Sequence, residues 1–400
     1  FLYILILYMS DSKTLLNNTG ENYKKAVDYA KKTMEQMKNN KIFFFSILIS
    51  IILVVSTIFY IHHKLTLDKA NCKNLLAQYP IVPRLNSVSN NPNFNTYKLR
   101  DFYIKSAFNC CSPGNFRNDF VNLCALSTCI SQGVRFLDFE IYSMNDQPVI
   151  ATSSIQDFTV KETYNYIPIS QALDMIVQKA FSSGTCPNFQ DPLILHFRIM
   201  SSNCKMYNNL ANIISENQQF NSKTLGKKFS FEFKDPEHGG QNLGAISLCS
   251  LNSKIIISVD ASNPIYQHTK FDEYVNIASG SVFMRMMTDN QIKFTQDLDL
   301  SDFNKRNMSI VIPTLGNRGS NPNFNIARNY GCQFCAMSFQ TMDTNLQHYI
   351  EFFNENSAAF VLKPDSQRFI PVTISKPPKQ DPKLSYATRK IESDFYNYNI

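Results

Sequence analysis

The chain contains no tryptophan and only 12 glycines in 400 residues, and charged residues make up just 18% of it. So little glycine leaves no phosphate-cradling loop of the kind that opens a helix after a strand. No His-x-x-x-His pair offers metal-ligand spacing, and no serine, histidine and aspartate follow the order of a known hydrolase. The net charge is +7, yet the 39 lysines and arginines are scattered and form no dense block. That argues weakly for contact with anionic surfaces and against a dedicated nucleic-acid binder, so no nucleic-acid partner is expected. What is abundant excludes wholesale disorder: 44% apolar residues with 13% aromatics suffice for a packed core. The length allows one large domain with appendages or two modest ones. Plentiful Lys, Asn, Ile, Phe and Tyr fit an A+T-rich coding genome.

The first residue is Phe1, whereas Met9, followed by Ser10 and Asp11, reads as a natural initiator. Residues 1–8 are therefore expected to be translated upstream sequence. They lack the basic n-region and small-residue cleavage site of a signal peptide. Residues 21–41 read as an amphipathic helix with Tyr23, Val27, Ala30, Met34 and Met37 on one stripe. From Ile42 to Ile61 the chain carries no charge at all. As a helix this stretch spans about 30 Å, the thickness of a bilayer's hydrocarbon core. A buried helix in a soluble core is the competing reading. Lys38 and Lys41 flank one end, and His62, His63 and Lys64 the other. Lys24, Lys25, Lys31 and Lys32 add to the first side, so the positive-inside bias keeps residues 1–41 cytosolic and sends the bulk of the chain across.

All 10 cysteines follow this stretch, which suits disulfides in an oxidising compartment. Small buried hydrophobes are the equal alternative. Cys332 and Cys335 form a CxxC without a second pair at zinc spacing, and Cys110-Cys111 reads as paired or buried rather than nucleophilic. Asn17 and Asn307 begin N-x-S/T sequons, of which this orientation exposes only Asn307 to glycosylation. Residues 62–97, rich in Asn, Pro and Ser, read as a linker. Beyond them, apolar runs at 133–141, 148–151, 192–197 and 254–259 alternate with helical stretches at 170–181 and 205–218. This is the alternation of a parallel α/β sheet, and residues 98–370 suit an eight-stranded barrel. Residues 371–400 read as a polar tail.

The segment Gly331-Cys-Gln-Phe-Cys-Ala-Met-Ser-Phe-Gln-Thr-Met-Asp343, with Phe360-Val-Leu-Lys-Pro364, resembles the Y box of eukaryotic-type phosphoinositide-specific phospholipase C. Gly133-Val-Arg-Phe-Leu-Asp-Phe-Glu140, Gln147-Pro-Val-Ile150 and Asp191-Pro-Leu-Ile-Leu195 resemble its X box. The resemblance covers residues 95–370 and implies a TIM-type (β/α)8 barrel of the PLC-like phosphodiesterase kind, which the apolar 42–61 stretch would precede as one transmembrane helix. It also implies a mechanism. Two histidines act as base and acid on the inositol phosphate, and Ca²⁺ held by an asparagine and three carboxylates stabilises the developing charge.

Matched position by position, that machinery is disabled. Asn109 is kept, but Phe108 and Thr152 stand where the resemblance places the histidines, and neither side chain transfers protons near neutral pH. Asp138 and Glu140 keep two carboxylates, on one face of a strand. The third is replaced by Arg198, so two carboxylates and one guanidinium stand where three carboxylates are expected. An opposite-charge pair at about 4 Å gains roughly 4 kcal/mol at an effective dielectric of about 20, so Arg198 is expected to pair with Asp138 or Glu140 and displace Ca²⁺. Ser258 and Asp260 replace the phosphate-binding lysines, and Ile310 and Ile312 the Arg and Tyr that contact inositol. Ser281 matches a substrate serine. His196 lies two residues from Arg198, and an internal network of Asp138, Glu140, His196 and Arg198 is expected to fill the old pocket. His238, His268 and His348 read as solvated.

Two functions compete. The first is a membrane-anchored pseudoenzyme serving as a structural or binding module, without cofactor. Its partners would be the bilayer, through 42–61, and other virion or membrane proteins; a large DNA virus is the preferred source, and a virion or internal viral membrane the location. The alternative is a divergent phosphoric diester hydrolase acting on phosphoinositides, with His196 as the acid/base and Ca²⁺ at Asp138, Glu140 and Asn109.

Overall fold

Short runs rich in Ile, Val, Phe and Met recur between residues 102 and 337, and in a computed structural model they become eight parallel strands. The structure describes residues 20–39, 41–155, 160–231, 234–235, 239–240, 242–295, 298–316, 320–371 and 386–400. Met9, the Asn17 sequon and His238 lie outside them. The strands are β1 (Phe102–Ala107), β2 (Phe136–Met144), β3 (Leu193–Met200) and β4 (Ile255–Asp260), then β5 (Ile277–Ser279), β6 (Met284–Thr288), β7 (Met308–Ile312) and β8 (Phe334–Met337). Their hydrogen-bonded order is β6-β7-β8-β1-β2-β3-β4-β5, a nearly closed barrel whose seam lies between β5 and β6. The seam is crossed by a tight turn at Gly280, whose φ of +82° favours glycine and whose N–H donates to the Met284 carbonyl. β1, β3 and β4 are buried along their whole length because both faces are covered, as parallel strands require.

Side chains alternate between two cores. Phe136, Ile194, Ile256, Ile277, Met284 and Phe334 fill the floor of the barrel interior. Leu137, Leu195, Ile257 and Val311 point outward, against helices that include α4 (Ile169–Ala180), α5 (Cys204–Glu216) and α9 (Thr344–Glu355). Before β1 come α1 (Gly20–Asn39) and α2 (Lys41–Gln78), and α3 (Leu123–Ser131) follows β1. Between α5 and α9 run α6 (Asp289–Phe294), α7 (Leu298–Arg306) and α8 (Phe324–Asn329).

Three expectations change. The run at 148–151 is not a parallel barrel strand: Gln147–Ile150 doubles back antiparallel on β2, because Asn145 and Asp146 adopt φ of 52° and 64° and form a two-residue hairpin turn. Residues 62–97 are not a free linker. Helix α2 continues to Gln78, since no Gly or Pro interrupts it before Pro80, and Leu85 and Val88 are buried in the inner core. Nor is the tail featureless: residues 372–385 lie outside the described set, but Lys390–Ser393 pairs with Tyr396–Asn399 as a hairpin.

Helix α2 is long and apolar enough to cross a membrane, and none of its most apolar stretch is buried within the protein. Phe45, Leu53 and Phe59 are exposed, so this segment is not packed into the core of the described residues. The cysteines divide: Cys72 and Cys124 form the one disulfide among the described residues, while Cys110, Cys111, Cys129, Cys186, Cys332 and Cys335 are buried free thiols.

Candidate functional site

A TIM-type barrel presents its site at the C-terminal ends of the strands, and here those ends carry polar groups above an apolar floor. β2 contributes Asp138 and Glu140 on one face; β3, its parallel neighbour, pairs Asp138 with His196 and Glu140 with Arg198 in register. All four side chains are buried. β1 ends at Ala107, after which Phe108 turns inward and Asn109 takes a left-handed φ of 45°, a conformation asparagine tolerates.

Arg198 is the hub. Its Nε donates to Asp138 Oδ2 at 3.0 Å and Nη2 to Asp138 Oδ1 at 3.0 Å. Nη1 donates to Glu140 Oε2 at 3.2 Å, and Nη2 also to Asn109 Oδ1 at 2.6 Å. Its guanidinium lies 4.4 Å from the centroid of the Phe108 ring, a cation–π contact. Phe108 and Arg198 thus stabilise each other, the phenyl face supporting the guanidinium. Glu140 also accepts from the Tyr142 hydroxyl at 2.5 Å, and Asp138 from the Asn109 N–H at 3.1 Å.

The charges are tuned accordingly. Burial alone would raise Asp138, but the Arg198 charge and hydrogen bonds from His196 and Arg198 outweigh it and hold the carboxyl at about 2. Glu140 is raised, because burial outweighs the help of Arg198 and Tyr142. Burial would lower Arg198, but Asp138 and Glu140 raise it. Such a donor set does not fit Ca²⁺: a guanidinium already holds the carboxylate oxygens and the Asn109 oxygen that a cation would need. Among the described residues no group of three or more His, Cys, Asp or Glu is arranged to hold a metal. Cys332 and Cys335 are buried free thiols, and burial pushes Cys332 up to about 12. Burial also raises Cys110 and Cys111, so neither is an activated nucleophile.

Of the other expected positions, Thr152 is buried and donates to the Phe116 carbonyl at 3.0 Å. Ser258, Asp260, Ile310 and Ile312 are buried at the positions expected to have lost the substrate clamp. Ser281 is half-buried and forms its backbone bridge with Met284, within the turn before β6.

Ser279 carries no signal in the residue pattern that would mark it in advance. His196 Nδ1 lies 2.7 Å from Asp138 Oδ2 and Nε2 lies 2.8 Å from Ser279 Oγ, the order of an acid, a base and a nucleophile. Contrary to expectation, then, an aspartate, a histidine and a serine do meet. Yet all three are buried, and the Ser279 hydroxyl also bonds the Val259 carbonyl at 3.1 Å. With no access to solvent, this chain links strands and is not set up for attack on a substrate. Tyr142 was also missed, although it shares the face of Asp138 and Glu140 by alternation alone. Nothing in the sequence pointed to Leu75, which lines the closed pocket above Phe108 and Asn109 together with Phe339 and Gln340.

The nearly closed parallel barrel, with its polar cluster at the strand ends, has a TIM-type fold similar to that of phospholipase C structures. More narrowly, residues 260–366 match the family described as phosphatidylinositol-specific phospholipase C, Y domain. The crystal structures of S. officinalis PLC21 and L. pealei PLC21 are each similar, with a TM-score of 0.54 and 18% identity. The match covers 69% of this chain and 38% of each of theirs, so this chain spans well under half the length of those proteins. No curated protein matches the sequence.

Proposed function

We propose that this protein is a membrane-anchored phospholipase-C-like pseudoenzyme whose barrel serves as a structural or binding module. One observation carries the reading: Arg198 bonds Asp138, Glu140 and Asn109 at once while stacking on Phe108. A cation entering this site would have to expel a buried, fully bonded guanidinium. Proton transfer is equally unsupported, since Phe108 and Thr152 carry no titrating group and His196 is sealed beneath the network.

The test is hydrolysis of phosphatidylinositol and its bisphosphate by the full-length chain in detergent–lipid micelles, with and without Ca²⁺. No turnover above background is expected in either condition. Robust turnover that disappears in Asp138→Ala would sink the proposal and favour a divergent diester hydrolase. Anchoring rests on α2, with the basic residues before it favouring a cytosolic N-terminus. In sealed microsomes, residues 65–400 should then resist added protease and membrane-impermeant maleimide. A location in the virion or internal membrane of a large DNA virus extends the same reading.

A further inference from the structure

Helix α2 outlasts its membrane-length stretch, and its last turns lie against the barrel mouth. Lys64, Asp68, Asn71, Cys72 and Leu75, with Tyr79 just beyond the helix, recur at three- and four-residue spacing and so share one face. Each of them makes a contact with the mouth. Lys64 Nζ donates to the Asn118 carbonyl at 3.2 Å and lies over the Tyr164 ring. Asp68 accepts from Asn122 Nδ2 at 3.0 Å, and Asn71 Nδ2 donates to Asp119 at 2.8 Å. Cys72 is disulfide-bonded to Cys124, in the first turn of α3. Leu75 is 2% exposed and closes over Phe108, Asn109, Phe339 and Gln340, leaving no space for water. Tyr79 donates to the Phe339 carbonyl at 2.7 Å.

We infer that residues 62–79 are a strap covering the barrel mouth, and that the Cys72–Cys124 disulfide is its redox-sensitive latch. The strap's noncovalent hold is slight, one buried leucine and a few polar contacts, so the covalent bond decides whether it stays down. Both sulfurs belong to half-buried residues, within reach of a reductant, unlike the six buried free thiols. A reductant breaks the S–S bond and yields two cysteine thiols: two reductant thiols supply the two electrons and two protons and become a disulfide, or a phosphine supplies the two electrons and becomes its oxide while one water supplies the oxygen and the two protons. Release uncovers an apolar patch around Phe108 and Phe339 at the mouth. The inference holds whether or not the barrel hydrolyses anything, so loss of the pseudoenzyme reading leaves it standing.

Hydrogen–deuterium exchange of the full-length chain in detergent, with and without a phosphine reductant, tests it. Amides in 62–79 and 108–125 should exchange on the order of tenfold faster after reduction, while β2 and β3 stay protected. A Cys72→Ser/Cys124→Ser variant should show the released pattern without reductant. Unchanged exchange in the strap would overturn the inference, as would free thiols at Cys72 and Cys124 in the unreduced protein. Faster exchange throughout the barrel would also overturn it, because the bond would then be a staple of the whole fold.

Discussion

Replacing Arg198 by methionine keeps much of the aliphatic bulk and removes the charge. Arg198 is 3% exposed and pairs with two carboxylates that are themselves sealed from solvent. Removing one member of a buried ion pair leaves an uncompensated charge and typically costs about 3–5 kcal/mol. Loss of the desolvated stacking on Phe108 adds about 1–2 kcal/mol. Arg198→Met should therefore lower unfolding stability by about 4–7 kcal/mol, close to the whole margin of an ordinary domain. Urea titration in detergent, followed by tyrosine fluorescence or far-ultraviolet circular dichroism, reads this out; the chain has no tryptophan to report. The triple variant Arg198→Met, Asp138→Asn, Glu140→Gln should regain most of the loss, since removing a whole buried ionic cluster is often near neutral. A single-variant loss below about 1 kcal/mol, the worth of an exposed pair, would refute the argument. So would a triple variant no more stable than the single one.

Acid titration provides a second test. Asp138 has a folded value of about 2 against an ordinary 3.8, so its contribution of roughly 2 kcal/mol is complete above 3.8 and vanishes as pH falls through 2. Glu140, raised by folding, works the other way and gains stability as pH falls through its folded value. Stability should hold or rise slightly on acidification and drop only below about pH 4; Asp138→Asn should abolish the drop. Lys105 is fully buried without a hydrogen-bond partner for its amine, and burial lowers it to about 7. Lys363, also lowered by burial to about 7, retains carbonyl partners at Asn304 and Gly331. Between pH 7 and 10.5 the unfolded chain binds more protons at these lysines, so stability should climb with pH, and Lys105→Met should stabilise at pH 7 and remove about half of that slope in thermal melts. Placing histidines at both positions by Phe108→His and Thr152→His should leave phosphatidylinositol hydrolysis at background while Arg198 remains, and activity in that variant would show that Arg198 is not the block.

The buried network at the mouth was legible in advance because it depends on residue identity and strand alternation. Asp138 and Glu140 two apart, and His196 and Arg198 two apart, had to share a face once their segments were strands. Their neighbouring register on β2 and β3 then made the pairing unavoidable. Gln147–Ile150 was misread because a short apolar run does not reveal its direction; the Asn145-Asp146 turn that reverses it was the overlooked signal. The 62–97 segment was misread from its Pro- and Asn-rich second half, whereas its first half has nothing to stop a helix.

By itself, the sequence determined a long apolar helix, a β/α barrel, and the face-sharing of Asp138 with Glu140 and of His196 with Arg198. Those follow from local composition and period. Only the tertiary structure decided that Ser279 reaches His196, that Phe108 stacks on Arg198, and that Leu75 closes the mouth. These contacts join residues far apart in the chain, and their distances depend on barrel closure and on the strap's path, which no local pattern encodes.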